Sequence, residues 1–304
     1  MNKPFVSVVV DTISARENCG TTPLPDFVSA CLAAIDAQTY PRELRETIVV
    51  VDDRFVSVDE LRKRYPSVRW AVTPSVNYFA NKNAGAALTS GQIVALIDAD
   101  CVAAPDWLER LVSRFEPDVA AVAGYTRYAG RSLGALTFSV PDFGYVAGEN
   151  EASGFNISNV ALRREVLLEH PFDARIRRDG GCYLLFHQLR GAGARILYER
   201  RASVAHGLDR CGYIKKHFNR GYDSVSVYRL DDAAALRGTR LFRRLGGLAL
   251  IAIAARRIVV DWIRLARLHR QMNVSLVALP YYAAVDVMTR LIELVGGLKA
   301  AVGQ

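Results

Sequence analysis

The feature that most restricts this chain is a beat in its first 126 residues, where short β-branched apolar runs alternate with helix-like segments. Runs at 5–11 (FVSVVVD), 47–53 (TIVVVDD), 68–72, 92–98 (QIVALID) and 119–125 are the strands, and most are apolar enough to be buried on both faces. Between them, 27–38 has apolar residues at Val28, Leu32 and Ile35, and 58–65 is a charged helix. Residues 81–89 are rich in alanine, and 105–115 opens with Pro then Asp, as the first turn of a helix should. Alternation of this kind predicts an α/β fold with a mostly parallel central sheet and flanking helices. Sheets of that class bind ligands at the carboxyl ends of their strands.

After residue 126 the pattern loosens. Residues 127–155 are rich in Gly, Ser and Tyr, 155–162 reads as a strand, 163–170 and 183–192 as helices, and 195–197 and 203–204 as short strands. A long basic helix is expected over 209–229, followed by the apolar run 245–255 (LGGLALIAIAA). That run falls short of the roughly 20 residues a spanning helix needs. Arg240, Arg243 and Arg244 precede it, and Arg256, Arg257, Arg264, Arg267 and Arg270 follow, with Trp262, Tyr281 and Tyr282 nearby. Positive charge and aromatics on both flanks are an interfacial pattern. Arg257, Asp261, Arg264 and Arg267 form a polar stripe at helical period, opposite Ile258, Val259, Trp262 and Ile263. A soluble helix packed on the core and a membrane hairpin through Pro280 are the alternatives that the pattern leaves open.

Charge divides the chain in the same place. Residues 201–304 carry 17 basic and 7 acidic residues, which leaves 22 against 24 in residues 1–200. An arginine-rich, apolar-rich end fits an anionic membrane surface better than a nucleic-acid groove, where basic and aromatic residues would line one cleft. With 51% hydrophobic and 23% charged residues the chain is not disordered. Its five scattered cysteines, with no CxxC pair, signal neither a disulfide framework nor a zinc site and fit a reducing, cytoplasmic compartment. The first residues lack the apolar core and cleavage site of a secretory signal.

Three acidic or basic motifs sit where the sheet should bind ligands. Asp98-Ala99-Asp100 follows the apolar run IVALI. Two carboxylates there suit a hard divalent cation, and such a cation neutralises a diphosphate; an ordinary acidic loop is the bland reading. Asp52 and Asp53 end another apolar strand and are placed to accept hydrogen bonds from a nucleobase or a ribose. Asn81-Lys82-Asn83-Ala84-Gly85 opens a helix, with Lys82 in reach of a phosphate or base. Neither GxGxxG after the first strand nor GxxxxGK[ST] occurs, which argues against a Rossmann dehydrogenase and a P-loop nucleotidase.

In that order and spacing FVSVVVDT, LAAIDAQTYP, TIVVVDD and NKNAGAALTSGQIVALIDADC resemble the inverting glycosyltransferases of family 2, which have the GT-A fold and use nucleotide-sugar donors. The resemblance covers residues 5 to about 206. It implies that Asp11, Thr12, Asp52, Asp53, Lys82 and Asp98 hold the donor nucleotide, Lys82 standing where an arginine is common. It implies that Asp98 and Asp100, completed by His206 in SVAHG, hold Mg²⁺ or Mn²⁺. The basic helix HFNRGY resembles a region where an arginine faces the diphosphate, here Arg220, with Lys215, Lys216 and Arg229 as alternatives.

GFNISNVALRREVLLEHPFD, with Asn156, Ser158 and Asn159, is similar to the acceptor-side segment of the family. There a helix beginning Glu-Asp follows, whose Asp is the general base. This chain has Gly181 and Cys182 instead. Asp179 is the nearest carboxylate and the first candidate for the base; His187, Glu149 and Glu151 are others. Without a base, either the acceptor is already acidic or the protein binds without catalysing.

The reading is a metal-assisted, inverting glycosyltransferase acting on a lipid or lipid-linked glycan, with no nucleic acid partner. A GT-A-like domain spans 1–206, its donor half about 1–126 and its acceptor half about 127–206. Residues 207–304 are a basic helical region that seats the enzyme peripherally on the cytoplasmic face of the membrane. A non-catalytic nucleotide-sugar-binding module and a nucleotidyltransferase are the rivals. The second lacks its usual Gly-rich phosphate loop here.

Overall fold

Strands whose side chains are apolar on both faces need cover on both, and that requirement shapes the molecule. The computed structural model describes residues 3–13, 24–52, 59–74, 77–129, 150–207, 213–234, 236–270 and 274–303. Its first half runs β1 (Val6–Asp11), α1 (Leu24–Asp36), β2 (Arg45–Asp52), α2 (Asp59–Arg64), β3 (Arg69–Thr73), α3 (Tyr78–Ala87) and β4 (Ile93–Asp98). Then come β5 (Cys101–Ala103), α4 (Trp107–Val112), β6 (Val119–Ala129), β7 (Asn159–Arg163), α5 (Arg164–Glu169), α6 (Gly181–Gly191) and β8 (Arg195–Gly207). The chain ends in α7 (Tyr213–Leu230), α8 (Arg237–Leu245), α9 (Leu248–Leu268) and α10 (Leu279–Val302).

One eight-stranded sheet has the order β3-β2-β1-β4-β7-β6-β8-β5. β1 to β4 are mutually parallel, β7 runs against both β4 and β6, β8 is parallel to β6, and β5 runs against β8. Side chains alternate across it. Val9, Val50, Val94 and Leu96 face one core with Phe79 of α3. Val6, Val8, Val10 and Ile97 face the other with Leu32 and Ile35 of α1 and Trp107 of α4. The expected 155–162 strand begins only at Asn159, because a turn closed by the Asn159 N–H on the Asn156 carbonyl precedes it. The two short strands expected at 195–197 and 203–204 are a single strand, β8, whose pairing with β6 jumps from Gly124↔Glu199 to Tyr125↔Ser203.

The first core continues into the C-terminal helices through Val225, Tyr228, Leu250 and Ala300. α7 and α10 meet backbone to backbone, since a Cβ at Gly221 would overlap the Glu293 carbonyl and one at Gly296 the Phe218 carbonyl. Of the polar stripe of α9 only Asp261 is buried; Arg257 and Arg264 are half-buried and Arg267 is exposed. Asp261 is 2% exposed and accepts from Arg290 at 2.7 Å, while Val259, Trp262 and Ile263 face outward. Arg290 also reaches Glu293 at 2.7 Å; burial pushes the Glu293 carboxyl up, and Arg290, His217, Arg220 and Arg257 together outweigh it and hold the carboxyl well below its ordinary value. Among the described residues no helix is long and apolar enough to cross a membrane.

Candidate functional site

Register brings the acids together at one edge. Asp11 is the partner of Asp98 across the parallel β1–β4 pair, and Asp52 ends β2 beside Thr73 of β3. Thr12 Oγ1 donates to the Val50 carbonyl at 2.9 Å and the Ala99 N–H to the Asp11 carbonyl at 2.9 Å, so the turns leaving these strands are stitched to one another. Asp11 and Thr12 are buried. Asp53 and the side chain of Asp52 lie outside the described residues, as do Glu149 and residues 14–23 of the long first loop.

α3 delivers the next two groups. Its N-cap Asn77 accepts from the N–H groups of Phe79 and Ala80, which fixes where the first turn begins. Tyr78 and Lys82, one turn apart, then face the same way. Tyr78 Oη donates to both Asp98 oxygens, at 2.8 and 3.0 Å, and the fully buried Lys82 ammonium bonds Asp98 Oδ1. Burial alone pushes the Asp98 carboxyl up. Lys82, His206 and the Tyr78 hydroxyl together outweigh it and hold the carboxyl below its ordinary value.

Asp100 has different company. Its Oδ1 lies 3.7 Å from His206 Nε2, because the short β5 pairs with the end of β8 and places Cys101 opposite His206. Ligand atoms of Asp100, Cys101 and His206 lie within 4.8 Å of one another, and all three residues are buried. His206 Nδ1 is buried without a hydrogen-bond partner among the described residues. Burial, then the Asp100 and Asp98 carboxylates, raise the Cys101 thiol well above its ordinary value. The carboxylate of Asp100 and the imidazole of His206 are a donor pair that fits a hard or borderline divalent ion. Asp98 is not in that group; its carboxylate is engaged by Lys82 and Tyr78.

The segment before α6 is pinned from two sides. Asn77 Nδ2 donates to the Ala174 and Ile176 carbonyls at 2.8 and 3.3 Å, and Asn83 exchanges hydrogen bonds with Phe172. From α7, Asp223 accepts the Asp179 N–H at 3.2 Å and Arg177 Nε at 3.3 Å. Burial and the nearby Asp179 carboxylate push the Asp223 carboxyl up to about 6. Between these anchors Arg178 stacks 4.4 Å from the centroid of the Tyr78 ring. Gly180 sits at φ +92°, which side chains other than glycine rarely adopt.

Other base candidates lie elsewhere. Glu151 is tied to Arg190 at the surface, 3.0 Å away, and His187 packs against Tyr183 and Phe186, where burial lowers its imidazole below the ordinary value. Arg220 lies 3.7 Å from Glu293 in the α7–α10 contact, and Lys215 and Arg229 are exposed. Asn159 is structural, accepting from Trp107 Nε1 at 2.8 Å and donating to the Ala202 carbonyl at 3.1 Å.

Residues 18–178, more than half of the chain, match the family described as Glycosyl transferase family 2. The chain belongs to that family. This family 2 glycosyltransferase is 29% identical to a glucosyl-dolichyl phosphate glucuronosyltransferase of Haloferax volcanii, over 67% of the chain and 69% of the relative. It is 24% identical to the glycosyltransferase AglE of the same organism, over 75% of each. Its fold matches mannosyltransferase PcManGT of Pyrobaculum calidifontis, solved with GDP-mannose and Mn²⁺, at TM-score 0.67 and 17% identity, covering 100% of the chain and 89% of that protein. The fold is thus GT-A-like.

Within that frame one half of the missing Glu-Asp has a steric cause, the Glu that would stand at Gly181; the Asp position is Cys182, which is half-buried. A Cβ at Gly181 would stand 2.5 Å from the Phe79 ring, so the acid expected there has no room. Sequence reasoning missed Tyr78, Arg178 and Asp223. Tyr78 was findable, since it stands four residues before Lys82 on the same helix. Asp223 carries no local signal: its partners are more than forty residues away in sequence.

Proposed function

We propose that this glycosyltransferase moves a sugar from a nucleotide-diphosphate donor to a lipid or lipid-linked glycan with inversion, assisted by a divalent metal. The observation that carries the reading is the division of labour in Asp98-Ala99-Asp100, one acid locked by Lys82 and Tyr78 and the other beside His206 at the carboxyl edge of the sheet. Asp100 and His206 would hold Mg²⁺ or Mn²⁺, which when bound supplies positive charge against the donor diphosphate. Asp98, neutralised by Lys82, shapes the floor of the nucleotide pocket together with Asp11 and Thr12, while Asp52 and Asp53 take the nucleoside. Asp179, on the loop clamped by Asp223, takes the acceptor proton. An inverting transfer needs a base in line behind the sugar carbon.

The dolichyl phosphate in the name of a relative supports a lipid-linked acceptor. A seat on the anionic cytoplasmic face of the membrane is supported by the outward apolar side chains of the tail, among them Leu248, Trp262 and Val277, flanked by arginines. On this reading residues 1–206 carry the chemistry and 207–304 the seat. Cys31, Cys101 and Cys182 are free thiols, in keeping with a reducing compartment.

Calorimetric titration of UDP and GDP, with and without Mn²⁺, tests the donor site. Binding of one nucleotide that needs metal and disappears in the Asp98→Ala, Asp100→Ala double variant is the expected result. Binding unaffected by the substitutions and by metal would overturn the reading.

A further inference from the structure

We propose that Arg178 binds the diphosphate of the nucleotide donor and that Asp223 of α7 is the positioning residue that holds it in place. The inference rests on the donor site proposed above and assigns to it a residue to which the family pattern gives no role. It starts from charge. Asp11, Asp98 and Asp100 converge at one sheet edge, and a diphosphate arriving there adds more negative charge. The one buried lysine at that edge, Lys82, is already committed to Asp98. A divalent ion beside Asp100 offsets part of the excess, and a further cation has to offset the rest.

Arg178 is a guanidinium that the fold brings to that edge. Its stack on Tyr78 is 4.4 Å, and the hydroxyl of the same ring reaches Asp98 at 2.8 Å. Arg220, by contrast, is directed to Glu293 on α10.

The geometry is prepared in advance. Ile176 is tied through its carbonyl to Asn77, Arg177 and the Asp179 N–H are tied to Asp223, and Gly180 packs on Val227 one helical turn beyond Asp223. Arg178 is therefore flanked on both sides by anchored backbone, and little conformational freedom remains to be lost on binding. Its planar fork matches two phosphate oxygens at once, which an ammonium does not.

The test is calorimetric titration, with Mn²⁺ present, of UDP against UMP and of GDP against GMP. Wild type is compared with Arg178→Ala, Arg178→Gln and Asp223→Ala. Loss of a charge-assisted contact predicts that both Arg178 variants bind the diphosphate roughly tenfold or more weakly and the monophosphate much as wild type does. Asp223→Ala should show the same selective loss, smaller in size. Retained monophosphate binding doubles as the check that each variant is folded, and Arg178→Gln keeps most of the stem should alanine disturb the loop. Unchanged diphosphate affinity, or mono- and diphosphate weakened equally, overturns the inference and leaves the donor site standing. A wild type that binds neither nucleotide overturns the donor site and this inference together.

Discussion

Replacing Lys82 with methionine separates a designed charge pair from a merely tolerated one. Lys82 is fully buried, and the side chain of its partner Asp98 is 4% exposed. Without the ammonium, the Tyr78 hydroxyl is the side-chain donor left to Asp98 among the described residues. Removing one partner of a buried ion pair costs roughly 3–5 kcal/mol, whereas replacing both with neutral groups is often nearly neutral. Lys82→Met should therefore lose about 3 kcal/mol or more, and the Lys82→Met, Asp98→Asn double variant should regain most of it. In wild type the Asp98 carboxyl is held below its ordinary value, so its contribution is present at neutral pH and is lost only as pH falls through that lowered value. In Lys82→Met burial acts unopposed by the lysine and the carboxyl rises. The deficit should then shrink as pH falls from about 7.5 toward about 5. Urea unfolding followed by tryptophan fluorescence measures all three proteins at both pH values. A single variant within about 1 kcal/mol of wild type, or a double variant as unstable as the single, would refute the reasoning.

Three further outcomes are expected. Gly296→Ala places a methyl group against the Phe218 carbonyl and should cost roughly 1–3 kcal/mol or more, seen as a lower melting temperature; an unchanged melt would mean that α7 and α10 do not touch as described. Asp286, whose carboxyl burial pushes up to about 7 with Asp261 and Glu293 opposing the help of Arg290, favours folding fully below its ordinary value of 3.8 and loses that contribution as pH rises through about 7. Asp286→Asn should therefore flatten the stability–pH curve between those values, and an unaltered curve would exclude Asp286 as its source. Anionic vesicles should retain the protein at low salt and release it at high salt, and Val277→Asp should weaken retention; release only by detergent would point to an inserted hairpin.

Much of the donor half was legible because its strands are buried on both faces and carry unbroken apolar runs. Val6–Asp11 and Ile93–Asp98 end within a residue or two of the expected limits. β8 was not legible as one strand, since Glu199, Arg200 and Arg201 interrupt its apolar pattern. The fold accommodates them where β8 shifts register against β6, and the Ala202 carbonyl is used there by Asn159. The acids at the sheet edge were legible as types at strand ends. Their different partners were not, because which acid meets Lys82 and which meets His206 is set by α3 docking on β1 and by β5 pairing with β8.

The tail shows a limit of another kind. Helical period identifies two stripes on α9 but does not say which one faces the protein, and in a soluble helix the apolar stripe would be the inner one. Here α9 buries Ala249, Leu250 and Leu265 together with Asp261, which enters a charged cluster. Arg290 joins Asp261 and Glu293 inside it, with Arg257 3.6 Å from Glu293. Val259, Trp262 and Ile263 are left outside, and Val277 is 92% exposed. α7, whose His217 and Arg220 reach Glu293 of this cluster, also carries Asp223, and Asp223 holds the loop of Arg178 and Asp179. The outward apolar side chains belong to α9 and to Val277, and α7 packs between that tail and the Arg178 loop, so seating the tail on a membrane, as proposed, would fix the height at which the sheet edge meets a lipid-linked acceptor.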